Sequence, residues 1–406
     1  MPLSRRQILR RRRVTVFGGL GLVLATAFYL PFTLLAPLHA NAAQLDPYIA
    51  PVTAAPTLTF PGYGATAVGA VGFPGILATS GTDAPLPLAS ITKVVTALVT
   101  LEAKPLGVQE EGPDIAFTAA DVGIYNGYLQ RFGSVKPVRA GLVLSYRQVL
   151  ELTVVASANN YTQSLVNWAF GSEAAFLPVA NAWLADHGLD SMVLTDATGM
   201  NPENVGTASD LVELGRLALA DPLLSELVST KSVEIPSVGE IKNTNKLLGD
   251  AGVRGIKTGT LDEANLLFAA DYEVGDQTVT VIGVMLGAKD HKVLDKDVVT
   301  LLASVKPGFQ EVVLAAAGQE YGSYTTLWGD ESDAVAAEDA SVVVWADTPI
   351  SLLVTARPVT LGTKGEDVGT LNFTVGSDTI EVPLELESTI DDPGPGWRLS
   401  HPTDLF

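Results

Sequence analysis

The chain has 406 residues, 47% of them hydrophobic and 17% charged. That excludes a disordered protein, because disordered chains are poor in apolar residues and rich in charge. There is no cysteine, which excludes disulfide frameworks, thiolate metal sites, iron–sulfur clusters and thiol nucleophiles together. Six of the 25 Lys and Arg residues lie in the first 13 positions, and none of the 45 Asp and Glu residues precedes Asp46, so the remainder carries a formal charge of −26. Such a body repels phosphate backbones, and no nucleic-acid partner is expected. The histidines are His39, His187, His291 and His401, and no HExxH occurs. Neither His187 nor His291 has a motif supporting a Ser-His-Asp triad. A hydrolase on this chain needs another base.

Read from the N-terminus, residues 1–13 form a basic segment that should stay cytoplasmic. Val14–Leu38 then runs 25 residues without a charge, enough to cross a hydrocarbon core of about 30 Å. The expectation is an uncleaved transmembrane anchor over 14–38. Ala40-Asn41-Ala42 as a cleavage site and Ser4-Arg5-Arg6-Gln7-Ile8-Leu9 as a twin-arginine signal are the alternatives. Either way the body is exported, to the extracytoplasmic side of the cell membrane or, after cleavage, as a secreted protein. Residues 39–63, rich in Ala, Pro and Thr, read as a linker. A catalytic domain is expected over 64–309. In it, a hairpin pairs Ala65–Val71 with Ile76–Ser80, and a helix of 3.6 period begins at Ser90. Leu144–Phe170 reads as helix interrupted near Ser157, and Leu211–Leu219 as a short helix capped by Ser209 or Asp210. Asn265–Tyr272 and Thr278–Leu286 read as antiparallel strands, followed by a helix over Val293–Ala303. Beyond Pro307 the chain turns acidic and rich in Val and Thr, with short strand-like runs. These predict a small β domain over 310–406 ending in an irregular Pro-Gly tail.

Three motifs occur in order: Ser90-Ile91-Thr92-Lys93, Ser157-Ala158-Asn159 and Lys257-Thr258-Gly259. Taken singly, each has an ordinary reading as a helix cap with a solvated lysine, a local turn, or an exposed strand residue. Together they describe chemistry. Lys93 lies one helical turn after Ser90, on the same face. Serine is a weak nucleophile until a base takes its proton, and a lysine serves if burial and a neighbouring cation, here Lys257, keep it neutral. The helix N-terminus adds backbone N–H groups for a developing oxyanion. Gly255 and Gly259 flank Lys257, as strand glycines do where another backbone comes close. The result is an acyl-transfer site without histidine.

This signature resembles that of the penicillin-recognising serine enzymes. The flanking stretches Leu88–Leu98, Thr198-Gly199-Met200-Asn201-Pro202, Thr207–Asp210, Asn243–Leu248 and Gly255–Thr260 look like the low-molecular-mass D-alanyl-D-alanine carboxypeptidases over roughly 60–310. The resemblance implies an α/β fold: a penicillin-binding/β-lactamase-like domain, with an antiparallel sheet flanked by helices and a helical subdomain. It implies Ser90 as nucleophile, Lys93 as base and Ser157 as proton relay. It also implies substrate contacts from Asn159, Lys257, Thr258, Gly259 and Thr260, with an oxyanion hole from the N–H groups of Ser90 and Thr260. The partners implied are peptidoglycan stem peptides and β-lactam antibiotics, with the membrane met through the N-terminal segment; no metal or cofactor is implied. Ser157-Ala158-Asn159-Asn160 stands where many relatives have Ser-Gly-Asn-Asp, and no arginine lies between Arg254 and Arg357 to clamp a substrate carboxylate. Lys292, or else Lys289, is expected in that place, although lysine lacks the bidentate fork. The alternatives are a D,D-endopeptidase and a catalytically silent cell-wall binding or sensor protein. A class A β-lactamase is disfavoured, as no Glu-x-x-Leu-Asn segment is present.

Overall fold

A computed structural model describes residues 4–51 and 53–406. Residues 1–3 of the basic segment and residue 52 of the expected linker lie outside the described residues. The chain divides into two compact units: residues 54–310, and the N-terminal segment to Thr53 together with Glu311–Phe406.

The unit of residues 54–310 is built on a five-stranded, wholly antiparallel sheet. Its order is Val253–Thr260, Ala264–Val274, Gln277–Ala288, Ala65–Ala70 and Phe73–Gly81. Both faces are covered, so the central strands are near-continuous apolar runs, whereas a half-exposed strand would alternate. Ile256, Leu267, Ala269, Ile282 and Val284 join the main core with the helices Thr92–Ala103 and Ala208–Ala220. Leu266, Phe268 and Val281, of opposite parity, are buried on the other face. The helix His291–Val305 packs on the strands Ala264–Val274 and Gln277–Ala288 through an apolar stripe that includes Leu294, Val298 and Leu301. A helical layer, including Tyr146–Val154, Asn159–Phe170 and Glu173–Asp186, gathers around Thr92–Ala103.

Local readings hold with shifted ends. The first hairpin turns at Val71-Gly72, with Gly72 at φ +82°, and its second strand already starts at Phe73. Pro74 is tolerated because that strand lies at the sheet edge. The helix expected over 211–219 runs Ala208–Ala220, and its cap is Thr207, whose hydroxyl accepts from Asp210 N; the expected caps, Ser209 and Asp210, lie inside the first turn. The break expected near Ser157 is real: helices end at Val154 and restart at Asn159.

The other unit carries a six-stranded antiparallel sheet over a core that includes Tyr324, Leu371, Phe373 and Leu384. Two expectations change here. Part of the stretch 39–63 is not linker: Gln44–Leu45 forms the edge strand against Glu320–Thr325, and Asn41 bridges Val359. The tail is not irregular: Gly394–Ser400 is a helix, with Pro395 sitting at its start, where proline's missing N–H costs nothing. The helix Arg5–Leu34 is long and apolar enough to cross a membrane.

Candidate active site

Ser90 sits in a 3-10 turn, Ala89–Ile91, that feeds directly into Thr92–Ala103. The turn is forced open at Ala89, whose φ is +49°. Two glycines let other backbone press against it. A Cβ on Gly199 would lie 1.8 Å from Ala89 O, and one on Gly259 would lie 2.8 Å from Leu88 O. The glycine of Lys257-Thr258-Gly259 is thus a contact requirement, bringing the strand Val253–Thr260 against the serine turn.

Lys93 donates from Nζ to Ser90 Oγ at 2.8 Å and to Thr198 O at 2.7 Å, and its side chain is wholly buried. Burial first, and the Lys257 ammonium second, hold its pKa well below the usual lysine range, with Asp196 opposing. Lys257 is also buried, donates to Thr258 O at 3.2 Å, and burial lowers it to about 7. A lysine that reaches a serine oxygen and is disfavoured as a cation can accept that serine's proton.

The carbonyl of Thr198 is aimed by residues with no motif of their own. Asp196 accepts from the N–H groups of Thr198 and Gly199 at 2.6 Å and of Asn201 at 2.5 Å. Asn204 accepts from Thr195 N and Asp196 N and donates to Thr92 Oγ1 at 3.1 Å, tying this turn to the serine helix. The sequence cue is an Asp two residues before Thr-Gly, a turn former that caps its own loop.

Ser157, at φ +54°, and Asn159 line the same cleft of about 790 Å³ as Ser90, Thr258 and Thr260. Asn159 is 2% exposed, and its Oδ1 has no hydrogen-bond partner among the described residues. A buried acceptor left open is costly and suits a ligand N–H. Asn160, standing where Asp is common, both accepts from Lys136 N and donates to Lys136 O. A carboxylate could not do both. Thr258 Oγ1 meets Thr244 Oγ1 at 2.5 Å.

Lys292 and Lys289 are exposed and do not line the cleft. Adjacent residues at a helix start point in different directions, and here His291 faces inward. Its Nε2 meets Thr260 Oγ1 at 2.7 Å. Burial, then Lys246 and Lys257, lower its pKa against the pull of Asp295 and Asp290. Lys246 and Arg131 also line the cleft with Asp262, so basic side chains outnumber acidic ones at its rim although the body is acidic.

The chain matches peptidase family S11, D-alanyl-D-alanine carboxypeptidase, over residues 74–290. It is 26% identical over 332 residues to D-alanyl-D-alanine carboxypeptidase DacC of Escherichia coli (strain K12), covering 79% of this chain and 82% of that protein. It is 30% identical over 197 residues to a D-alanyl-D-alanine endopeptidase of Pseudomonas aeruginosa, covering 47% of this chain and 60% of that one. The fold is similar to penicillin binding protein 5 of Haemophilus influenzae, with TM-score 0.57 at 19% identity, over 86% of this chain and 100% of that structure. It is also similar to the Streptomyces K15 DD-transpeptidase, with TM-score 0.53 at 23% identity, over 61% and 98%. Matched across more than half its length and carrying the penicillin-binding-protein fold, the chain belongs to the D-alanyl-D-alanine carboxypeptidase family of peptidases, S11.

Proposed function

We propose that this chain is an exported serine-type D-Ala-D-Ala carboxypeptidase, which removes the terminal D-alanine of peptidoglycan stem pentapeptides and is inhibited by β-lactams. The observation that carries the reading is Lys93, wholly buried beside Lys257, with Nζ 2.8 Å from Ser90 Oγ. Lys93 takes the hydroxyl proton as Oγ attacks the carbonyl between the two D-alanines. The N–H groups of Ser90 and Thr260 stabilise the oxyanion. The C–N bond then breaks, Ser157 relays the proton to the leaving amine, and water hydrolyses the ester with Lys93 again as base. Asn159 Oδ1 receives a substrate N–H, and Lys257 sustains the electrostatics. Residues 64–309 carry this chemistry, Val14–Leu38 anchors it outside the cell membrane, and the β domain from residue 310 serves as spacer or docking module.

The terminal carboxylate needs compensating charge and donors. In place of Lys292, we assign it to Thr258 and Thr244 with the Thr260–His291 pair, and to Lys246 at the rim. A second reading, D,D-endopeptidase, is favoured by the endopeptidase relatives and by the missing arginine. A silent binding protein has no use for a buried lysine bonded to a cleft serine. Fluorescent penicillin should label the wild type at Ser90 and leave Ser90→Ala unlabelled; labelling of the variant would sink the nucleophile assignment. D-alanine release from a free pentapeptide, with a crosslinked dimer left intact, selects the carboxypeptidase; the reverse selects the endopeptidase.

A further inference from the structure

The outer end of the apolar helix is not free. Its 18-residue apolar window is wholly exposed, yet Thr33 is 1% and Ala36 6% exposed. What meets this end includes the C-terminal tail. Tyr29 donates its hydroxyl to Leu399 O at 2.7 Å, and Arg398 donates to Ala36 O at 2.7 Å while also pairing with Asp392. Phe32 stacks on Phe406 at 4.4 Å between ring centroids. Trp397, in the tail helix, lies edge-on to Trp328 at 5.8 Å. The next segment is fastened too: Asn41 N and Val359 O, and Val359 N and Asn41 O, are bonded at 2.8 and 2.9 Å.

Depth follows from length. Val14 to Leu34 spans about 31 Å at 1.5 Å per residue, matching a hydrocarbon core of about 30 Å. With the arginines on the inner side, Tyr29 and Phe32 fall within the last ~8 Å before the outer surface. Whatever touches them shares that depth. The tail brings side chains suited to it. Phe406 is 61% exposed, beside Phe32 at 64%, and Leu35 at 81% follows on the chain. Tyr29 and Trp397 add rings with one apolar and one polar end, which favour the boundary between acyl chains and headgroups.

We propose that residues 391–406 and the outer end of the apolar helix form one aromatic collar seated at the outer boundary between acyl chains and headgroups of the bilayer. In this arrangement the helix is a retained part of the folded β unit, and removal after Ala42 would take Tyr29, Phe32 and Ala36 away from the tail that binds them. The occupant of the exposed aromatic face is lipid. The proposal rests on the anchor assigned above and is independent of the chemistry at Ser90.

The absence of native cysteine makes the test clean. The full-length chain carrying Phe32→Cys and Phe406→Cys is placed in phosphatidylethanolamine–phosphatidylglycerol vesicles, treated with a short bismaleimide, and digested. Peptides containing positions 32 and 406 should be recovered joined; a Phe32→Cys, Leu353→Cys control should yield none. In vesicles whose lipids are brominated near the headgroup, tryptophan emission should be quenched, and Trp397→Phe should remove a measurable share of that quenching. Unjoined peptides, or identical quenching in the variant, would overturn the collar. Extraction of the chain by alkaline carbonate would overturn the anchor and the collar together. Penicillin labelling of the same vesicles reports separately on Ser90, so failure there would leave the collar standing.

Discussion

On the floor of the cleft, Lys93 and Lys257 are buried to 0% and 2% exposure, and backbone presses on the serine turn through Gly199 and Gly259. On the rim, Phe132 is 98% exposed at φ +57°, Lys246 and Arg131 are exposed, and His291 is half-buried. The floor places two lysines where the cationic form is disfavoured and limits their neighbours to groups they need. The rim holds its charges in contact with water, where each is screened and weak. Changes on the floor should therefore act all-or-none on chemistry, and changes on the rim should act by degrees on binding.

The largest effect is expected from Lys93→Ala. Acylation by penicillin should fall by about 10⁴-fold, nearly as far as in Ser90→Ala, and the double variant should lose little more, because residues acting as one unit are not additive. Stopped-flow acylation rates check this; additive losses would mean that Lys93 and Ser90 act separately.

Gly199→Ala comes next. The new Cβ would meet Ala89 O in a conformation with φ +80°. Unfolding free energy should drop by at least about 2 kcal/mol, and labelling should fall in the protein that remains folded. Gly188→Ala, also at positive φ but with open space around it, should cost less by denaturant titration.

Lys257→Met should move the acid limb of acylation to higher pH. The sign follows from the charge. Lys93 must be neutral to act as base, and the Lys257 cation beside it opposes protonation. Without that cation Lys93 holds its proton to higher pH. A pH–rate profile shifted downward would reverse the assigned roles.

The smallest effect belongs to the rim. His291→Ala should lower kcat/KM for a substrate ending in a free carboxylate by roughly tenfold, about 1.4 kcal/mol, and leave an amide-terminated analogue nearly unchanged. The wild-type preference for the carboxylate should fade as pH rises through the lowered His291 pKa, because the imidazole loses its charge. Equal losses on both substrates would place His291 among structural residues, and a loss in Lys292→Ala instead would restore the lysine.

By itself, the sequence determined what depends on order and period. The apolar run ahead of Leu38, the helix beginning at Ser90, the break at Ser157 and the strands around Gly275 are local patterns, written in consecutive residues. The three motifs pointed to the proposed chemistry because that reaction needs those residue types together. Tertiary structure decided what depends on direction and on distant partners. Asp196 and Asn204 matter through the carbonyl they aim, 105 positions from Lys93 in the case of Thr198, and no spacing rule reports that. At the start of His291–Val305, one step along the helix separates a residue facing the cleft from one facing water, so charge alone pointed to Lys292 and orientation placed His291 there. The tail 391–406 read as irregular because prolines and glycines punctuate it; its helix is stabilised by packing on Tyr29, Phe32 and Ala36, contacts spanning more than 360 residues that no local propensity contains.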